Sequence, residues 1–457
     1  MTDVHDHRER AVARILDSSS QQKLVVGGPG TGKTHLFRLA LEKAGGGIAL
    51  TFINELVRDL EEKLGHLGSV RTLHAFSKRL LHQVDADGLS SSFAYYPPLL
   101  ILIAEDLGVP KEDVEWVLHN VDSSSGLLAQ VIELGNYYDC VSHTDLVYRM
   151  LNHFQRDMAS IPSYPLIVVD EYQDFSLMET LLIAQLSRRS PVLIAGDDDQ
   201  ALYSFKYASP HLIRELASDP EVEVFPLEHC SRCTEVVVQA VRDVLDAATS
   251  QGYLEGRIAK DFVCFEPDKH EDSEAHPNIS YVECSVERSD VPYMGRYVAE
   301  QIGAISEADI QESHAQGWPT VLVVGPGHFV RPVFEEIRTS FPQAVLRQGS
   351  ELSVEILDGY RRLAVNSKSR LGWRIVLYCE PLQDEAEDMR SAIAGRVPFE
   401  TALPNDYRDR QLDIRARRDP SDRQGILAWL EPISARLTSP RDLPRPERPP
   451  SLFAIPW

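Results

Sequence analysis

Disulfide chemistry, membrane-length apolar runs, internal repeats and a basic charge balance are all missing from this sequence. Six cysteines spread over 457 residues are too few for a disulfide framework, and they suit a reducing compartment. The most apolar stretch, "PPLLILIA" (97–104), opens on two prolines and falls far short of the roughly 20 residues a spanning helix needs. The start, "MTDVHDHRERAVARIL", is charged and has no apolar core of the signal-peptide kind. These absences lead us to expect a cytoplasmic protein with no membrane partner. The net charge of −23 rules out nucleic-acid binding by bulk attraction and confines any such contact to a local basic or aromatic groove. With 43% hydrophobic and 25% charged residues the composition is that of an ordinary globular chain, and its length suggests two or three domains.

What is present is a pattern of buried strands alternating with helices. "KLVVGGPGTGKTHLFRLALEKA" (23–44) reads as strand, glycine loop and amphipathic helix, and "GGIALTFINELVRDLEEKLG" (46–65) as a shorter strand and helix. From 82 to 160 the periodicity is helical throughout, broken by Ser- and Gly-bearing stretches such as "DSSSG". Buried strands return in "YPLIVVDEYQD" and "PVLIAGDDDQ". Strands this apolar predict a parallel sheet covered on both faces, and hence an α/β fold. A weaker α/β pattern follows. "HPNISYVEC" (276–284) and "PTVLVVGPG" (319–327) read as strands, and 291–305 and the stretch "FVRPVFEEIRTSF" as helices. The final "TSPRDLPRPERPPSLFAIPW" is a proline-rich tail.

"GGPGTGKT" (27–34) fits G-x-x-x-x-G-K-[ST] between a strand and a helix. Gly27, Gly28, Pro29, Gly30, Thr31 and Gly32 form a loop whose N–H groups can point at phosphate oxygens, with the helix dipole behind them. Lys33 is a point charge for the β- and γ-phosphates, and the Thr34 hydroxyl is a ligand for Mg²⁺. This loop answers a question raised by "LIVVDEYQDF" (166–175), a buried strand that ends in three carboxylates. A Mg·nucleotide at the next strand end would neutralise Asp170, the metal-holding acid, and leave Glu171 placed to take a proton from the attacking water. In "LIAGDDDQALYSF" (193–205), Gln200 can hydrogen-bond the γ-phosphate or that water. Tyr203 and Phe205 fall on one side of an extended segment, where they can stack on bases of a single strand. Cys230 and Cys233 form a C-x-x-C with no second pair at zinc spacing, so no metal is expected there.

In that order, "GGPGTGKT", "TFINE", "TLHAFS", "VVDEYQD", "GDDDQALYSF" and "LEHCSRCTEVV" resemble the UvrD/Rep-type branch of superfamily 1 DNA helicases. The resemblance is firm over 23–245 and looser over 275–380. It implies a RecA-like ATP-binding lobe (1–81 and 161–245) with a helical insertion (82–160). It also implies a second, incomplete-looking RecA-like lobe (250–435), ahead of a tail at 436–457. ATP and Mg²⁺ would be the cofactors, and single-stranded DNA or DNA junctions the partners. Lys33, Thr34, Asp170, Glu171 and Gln200 would act as described above. Arg232 would reach across to the γ-phosphate, a role worth roughly 10³–10⁵ in rate where such a finger exists. Phe52, Asn54, Thr72, His74, Tyr203 and Phe205 would line the DNA path.

The departures from the family pattern are specific. "RERAV" (8–12) lacks the Gln that reads adenine in the family, and Ser231 stands where a Tyr usually precedes the arginine. Neither T-x-H-x-x-K-G-L-E nor V-A-x-T-R-A occurs, and "YRRLAVNSKSR" (360–370) is read instead as a helix-rich piece of the second lobe. Two readings follow. One is an ATP-dependent DNA helicase or translocase, with a partner chain supplying the missing motifs if they are required. The other is an ATP- and DNA-binding regulatory or truncated helicase-like protein with little unwinding alone.

Overall fold

The computed structural model describes residues 2–379 except 53, 85–87, 203–206, 276, 280–290, 316–319, 326, 347–351 and 367, together with 392, 425 and 428. The described strands are β1 (Gln22–Gly27), β2 (Gly47–Thr51), β3 (Gly68–Thr72), β4 (Ala94–Tyr95), β5 (Cys140–Val141), β6 (Ile167–Val169), β7 (Val192–Gly196), β8 (Val222–Leu227), β9 (His229–Cys230) and β10 (Val263–Cys264). Six of them form the central sheet, in the order β3-β2-β6-β7-β1-β8, with every pairing parallel. The short strands pair separately, β4 with β5 and β9 with β10.

Alternation along each strand sends side chains to both faces, and both faces are covered. One face packs Val25, Ala49, Val168 and Leu193 against α1 (Thr2–Asp17), α2 (Lys33–Ala44) and α3 (Asn54–Leu64). The other packs Leu24, Val26, Leu50, Val169 and Ile194 under α4 (Leu73–Leu81) and further helices.

The helical region expected at 82–160 contains α5 (Leu99–Leu107), α6 (Lys111–His119), α7 (Leu127–Tyr138) and α8 (His143–Arg156), and it divides between two cores. Val147, Met150, Leu151 and Phe154 place α8 in the sheet core, beside α9 (Leu177–Ser187). In chain order α10 (Pro210–Ser218) precedes β8, and α11 (Glu235–Ser250) and α12 (Glu266–Ala275) come after β9.

Residues 277–351 form a compact unit of their own. It holds α13 (Val291–Gly303), α14 (Glu307–Ala315) and α15 (Gly327–Ser340). Within it, Val333 and Ile337 pack with Met294, Val298, Ile302 and Phe341. The strand expected at 319–327 is not seen: residues 320–325 pair with no other strand among the described residues, and Leu322 and Val324 are exposed. Most of the strand expected at 276–284 lies outside the described residues, as does the tail.

Two last helices, α16 (Ile356–Val365) and α17 (Arg370–Cys379), belong to the larger unit. They carry the "YRRLAVNSKSR" stretch and bury Tyr360, Leu363, Trp373, Ile375 and Val376 against α5, α6 and α7. Arg374 fixes the contact by donating from Nε to Asp106 Oδ1 at 2.7 Å. No described helix is long and apolar enough to cross a membrane.

Candidate nucleotide site

In parallel α/β sheets ligands gather outside the carboxyl ends of strands, where the strand order switches. Here β1 lies between β7 and β8, and the glycine loop leaves its end. Gly30 (φ +73°) and Gly32 (φ +93°) hold left-handed backbone that a side chain would strain. Thr31 Oγ1 donates to Gly28 O at 2.9 Å, closing the loop on itself. Lys33 starts α2 and donates from Nζ to Gly27 O at 3.0 Å. Lys33 and Thr34 are half-buried at the positive end of the α2 dipole.

The loop is braced from β9 and β10. A Cβ on Gly28 would fall 2.7 Å from the Phe262 ring, and one on Gly30 would fall 2.3 Å from Arg232 Cβ. The Cys230 thiol donates to Pro29 O at 3.0 Å, and Ser231 donates to Gly30 O from its main chain at 3.0 Å and its hydroxyl at 3.1 Å. Arg232 is therefore held beside the loop, with its side chain exposed. Arg8, in the "RERAV" stretch (8–12), lies over the Phe265 ring at 5.3 Å. Its Nη2 is 3.1 Å from where a Cβ on Gly32 would stand.

Asp170 follows β6 and is 7% exposed. Burial and the neighbouring Glu171 carboxylate push it up to about 7, against the pull of the Lys33 ammonium. Glu171 itself adopts left-handed backbone (φ 52°), which turns the chain into a short 3₁₀ turn at Tyr172–Asp174. Gln173, 2% exposed, spans two strand ends. Its Nε2 donates to Glu171 Oε2 at 2.8 Å, and its Oε1 accepts from Asp197 N at 3.0 Å, just past β7. Spacing alone assigned Gln173 no role; the structure makes it the bridge between the two acidic motifs. Gln200 is tied to the same anchor, donating from Nε2 to Asp197 Oδ2 at 2.6 Å.

Asp197, Asp198 and Asp199 bring three carboxylates within metal-ligating distance of one another. The cation among them is Lys260, whose Nζ lies 3.1 Å from Asp197 Oδ1, 2.5 Å from Asp198 Oδ1 and 2.9 Å from Asp199 Oδ2. Arg214 and Arg257 pair with Asp198 and Asp199 at 2.9 and 2.8 Å. These acids thus form an ion network filled by side chains. Of the residues that could hold Mg²⁺, Asp170 is a buried acid beside a second acid, a setting in which a nearby cation favours ionisation.

Three of the residues expected along a DNA path have described side chains. Phe52 is half-buried and meets the Phe175 ring edge-on at 5.7 Å. Thr72 is buried and caps α4, its Oγ1 accepting from Ala75 N at 3.1 Å. His74 is 8% exposed and stacks on His143, ring centroids 3.8 Å apart, with Nδ1 3.8 Å from Glu179 Oε1. Its burial and stacking leave it a packing residue rather than an open contact. The side chain of Asn54 and all of Tyr203 and Phe205 lie outside the described residues.

A glycine loop after β1, a Gln after the adjoining β7 and paired acids after β6, one strand further on, define a P-loop nucleotide site on a RecA-like lobe. Residues 8–206 match a family described as an AAA domain. The chain is 26% identical over 273 residues to the ATP-dependent DNA helicase PcrA of Bacillus subtilis (strain 168), covering 49% of this chain and 37% of that protein. It is 21% identical over 291 residues to the ATP-dependent DNA helicase Rep of Buchnera aphidicola subsp. Baizongia pistaciae, covering 53% and 42%. Over 98 residues it is 37% identical to the ATP-dependent DNA helicase UvrD2 of Mycobacterium tuberculosis (strain ATCC 25618 / H37Rv), covering 21% and 13%. The chain thus spans well under half the length of these curated relatives. In motif order and in these likenesses the chain is similar to UvrD/Rep-type superfamily 1 helicases.

Proposed function

We propose that this chain hydrolyses ATP and couples the hydrolysis to movement along single-stranded DNA. The observation that carries the reading is the bridge from Glu171 through Gln173 to Asp197, with Gln200 on the same anchor. It fixes a candidate base and a candidate γ-phosphate sensor, from different strands, against one framework. Preorganisation of this kind is what positions a water for in-line attack.

The loop amides from Gly28 to Gly32 and the Lys33 ammonium bind the phosphates, and Arg232 reaches them from its place beside Gly30. Thr34 and Asp170 hold Mg²⁺, which when bound offsets phosphate charge and keeps Asp170 ionised. Glu171 accepts the proton of the attacking water, and Gln200 orients that water or contacts the terminal phosphate. The relatives' names speak of DNA, and that substrate comes to this chain as part of the proposal. Phe52, Asn54, Tyr203 and Phe205 are its proposed contacts, whereas Thr72 and His74 support α4 from within.

We place the ATP-binding lobe at 1–81 and 161–245, with α8 joined to its core and the segment that carries Arg257, Lys260 and Phe262 against its site. The alternative is an ATP- and DNA-binding regulatory protein. Steady-state ATP hydrolysis, measured with and without a single-stranded oligonucleotide, separates the two. The motor reading expects stimulation by DNA. Binding of ATP and DNA with no stimulated turnover would leave the regulatory reading.

A further inference from the structure

A buried lysine facing three carboxylates is costly unless it is used. Lys260 has a side chain only 4% exposed, and its partners Asp197, Asp198 and Asp199 are 4%, 0% and 11% exposed. Burying an ammonium and three carboxylates gains little net stability over an apolar packing of the same volume. Such a group does, however, fix the positions of its members. Arg214 and Arg257 neutralise Asp198 and Asp199 without help, at 2.9 and 2.8 Å. Asp197 has no arginine of its own among the described ion pairs, so Lys260 is its counter-charge.

Asp197 is also the residue on which the site hangs. Its Oδ2 accepts from Gln200 Nε2 at 2.6 Å, its Oδ1 accepts from Asp199 N at 3.1 Å, and its N–H reaches Gln173 Oε1 at 3.0 Å. Gln173 in turn holds Glu171 at 2.8 Å. A chain of contacts therefore runs from Lys260 to Asp197, and from there to both Gln200 and Glu171. Lys260 lies 60 residues beyond Gln200, in the segment after α11, and Ile258 N pins that segment by donating to Asp198 Oδ2 at 3.1 Å.

We propose that Lys260 is a positioning residue for nucleotide hydrolysis: it locks the Asp197 carboxylate so that Gln200 and, through Gln173, Glu171 stand in the geometry that attack on the terminal phosphate requires. The inference rests on the hydrolysis reading above. The described partners of Lys260 are Asp197, Asp198 and Asp199 and none is in the glycine loop, so its loss is expected to change turnover and leave binding intact. The loop that binds the phosphates is braced by Cys230, Ser231 and Phe262, none of which contacts Lys260 in the hydrogen bonds or ion pairs described.

The test compares Lys260→Met, Arg257→Met and the double variant Lys260→Met/Asp199→Asn with the full-length wild type. It records kcat and KM for ATP, the Kd of a fluorescent ATP analogue, and urea stability. Lys260→Met is expected to lose about 10²-fold in kcat, with KM and Kd within about threefold of wild type. Arg257→Met breaks an ion pair of the same network that does not reach Gln200, and it is expected to lose stability while keeping kcat within about twofold. The double variant removes one positive and one negative charge together. It is expected to regain stability while kcat stays low, and it remains informative if Lys260→Met alone does not fold.

Full kcat in the double variant would overturn the proposal, because Lys260 would then act only by balancing charge. Equal losses of kcat in Lys260→Met and Arg257→Met, or a loss carried by KM, would overturn it as well. A wild type that binds ATP without hydrolysing it would instead overturn the hydrolysis reading, and this inference with it.

Discussion

Replacing Gln173 by Met keeps the volume of the side chain and removes both ends of the bridge. The Asp197 N–H then loses its acceptor at a position 3% exposed, where an unsatisfied donor costs about 1–3 kcal/mol. The bond to the Glu171 carboxylate is charge-assisted and worth about 1.5–3 kcal/mol in a buried setting, but Glu171 is half-buried and water recovers part of it. The expected loss is about 2–4 kcal/mol of stability, read as a lower urea midpoint at unchanged slope. Because Glu171 is freed from its strand-to-strand tether, kcat should fall by up to about 10²-fold while ATP affinity holds. Gln173→Glu separates the two effects. Its carboxylate still accepts from Asp197 N, so stability partly returns, but it places a second negative charge against Glu171 and leaves kcat low. A Gln173→Met variant within about 0.5 kcal/mol of wild type, with full kcat, would refute the reasoning, since ordinary surface substitutions do no more than that.

Asp170 supplies a pH-dependent prediction. Its carboxyl is pushed up from an ordinary 3.8 to about 7, so the folded state resists its ionisation, and the ligand-free protein should lose stability from this group as pH rises from about 4 through 7. Asp170→Asn should therefore stabilise the ligand-free protein at pH 8 by on the order of 1–3 kcal/mol and flatten that part of the pH profile in thermal melts. Mg²⁺ with nucleotide should stabilise wild type more at pH 8 than at pH 6, and Asp170→Asn by about the same at both. Trp373→Ala empties the seam between α17 and the helices α5–α7, and it should cost about 3–5 kcal/mol in urea unfolding, against almost nothing if α17 did not pack there.

The parts of the site that could be read from sequence are those whose chemistry is contiguous. The glycine loop, the Asp170–Glu171 pair and the Gln200 segment each sit at the end of one strand, so residue type and spacing within about ten positions identify them. The parts that escaped depend on which strand ends become neighbours. Gln173 reaches Asp197 across the β6–β7 junction, and Lys260 reaches the same acid from more than 60 residues along the chain. No local pattern marks either contact. The sheet faces were legible because alternation of apolar residues on parallel strands encodes them directly. The docking of α16 and α17 was not, because their amphipathic stripes announce a buried face without saying what covers it. Thr72 and His74 matched a motif by type and position, yet capping and ring stacking are the uses the fold makes of them. The apolar "PTVLVVGPG" run reads as a strand by composition, but a strand also needs a ladder partner, and none is found for 320–325 among the described residues.

The most direct test of the account is ATP turnover by Glu171→Gln, with ATP binding measured on the same preparation. The change is isosteric, leaves the glycine loop, Lys33 and Thr34 untouched, and removes the proton acceptor with its charge. The account predicts binding within about threefold of wild type and a kcat lower by about 10²–10⁴-fold, the usual worth of a general base. Undiminished turnover in Glu171→Gln would contradict it, and would move the catalytic role away from the carboxylates at the end of β6.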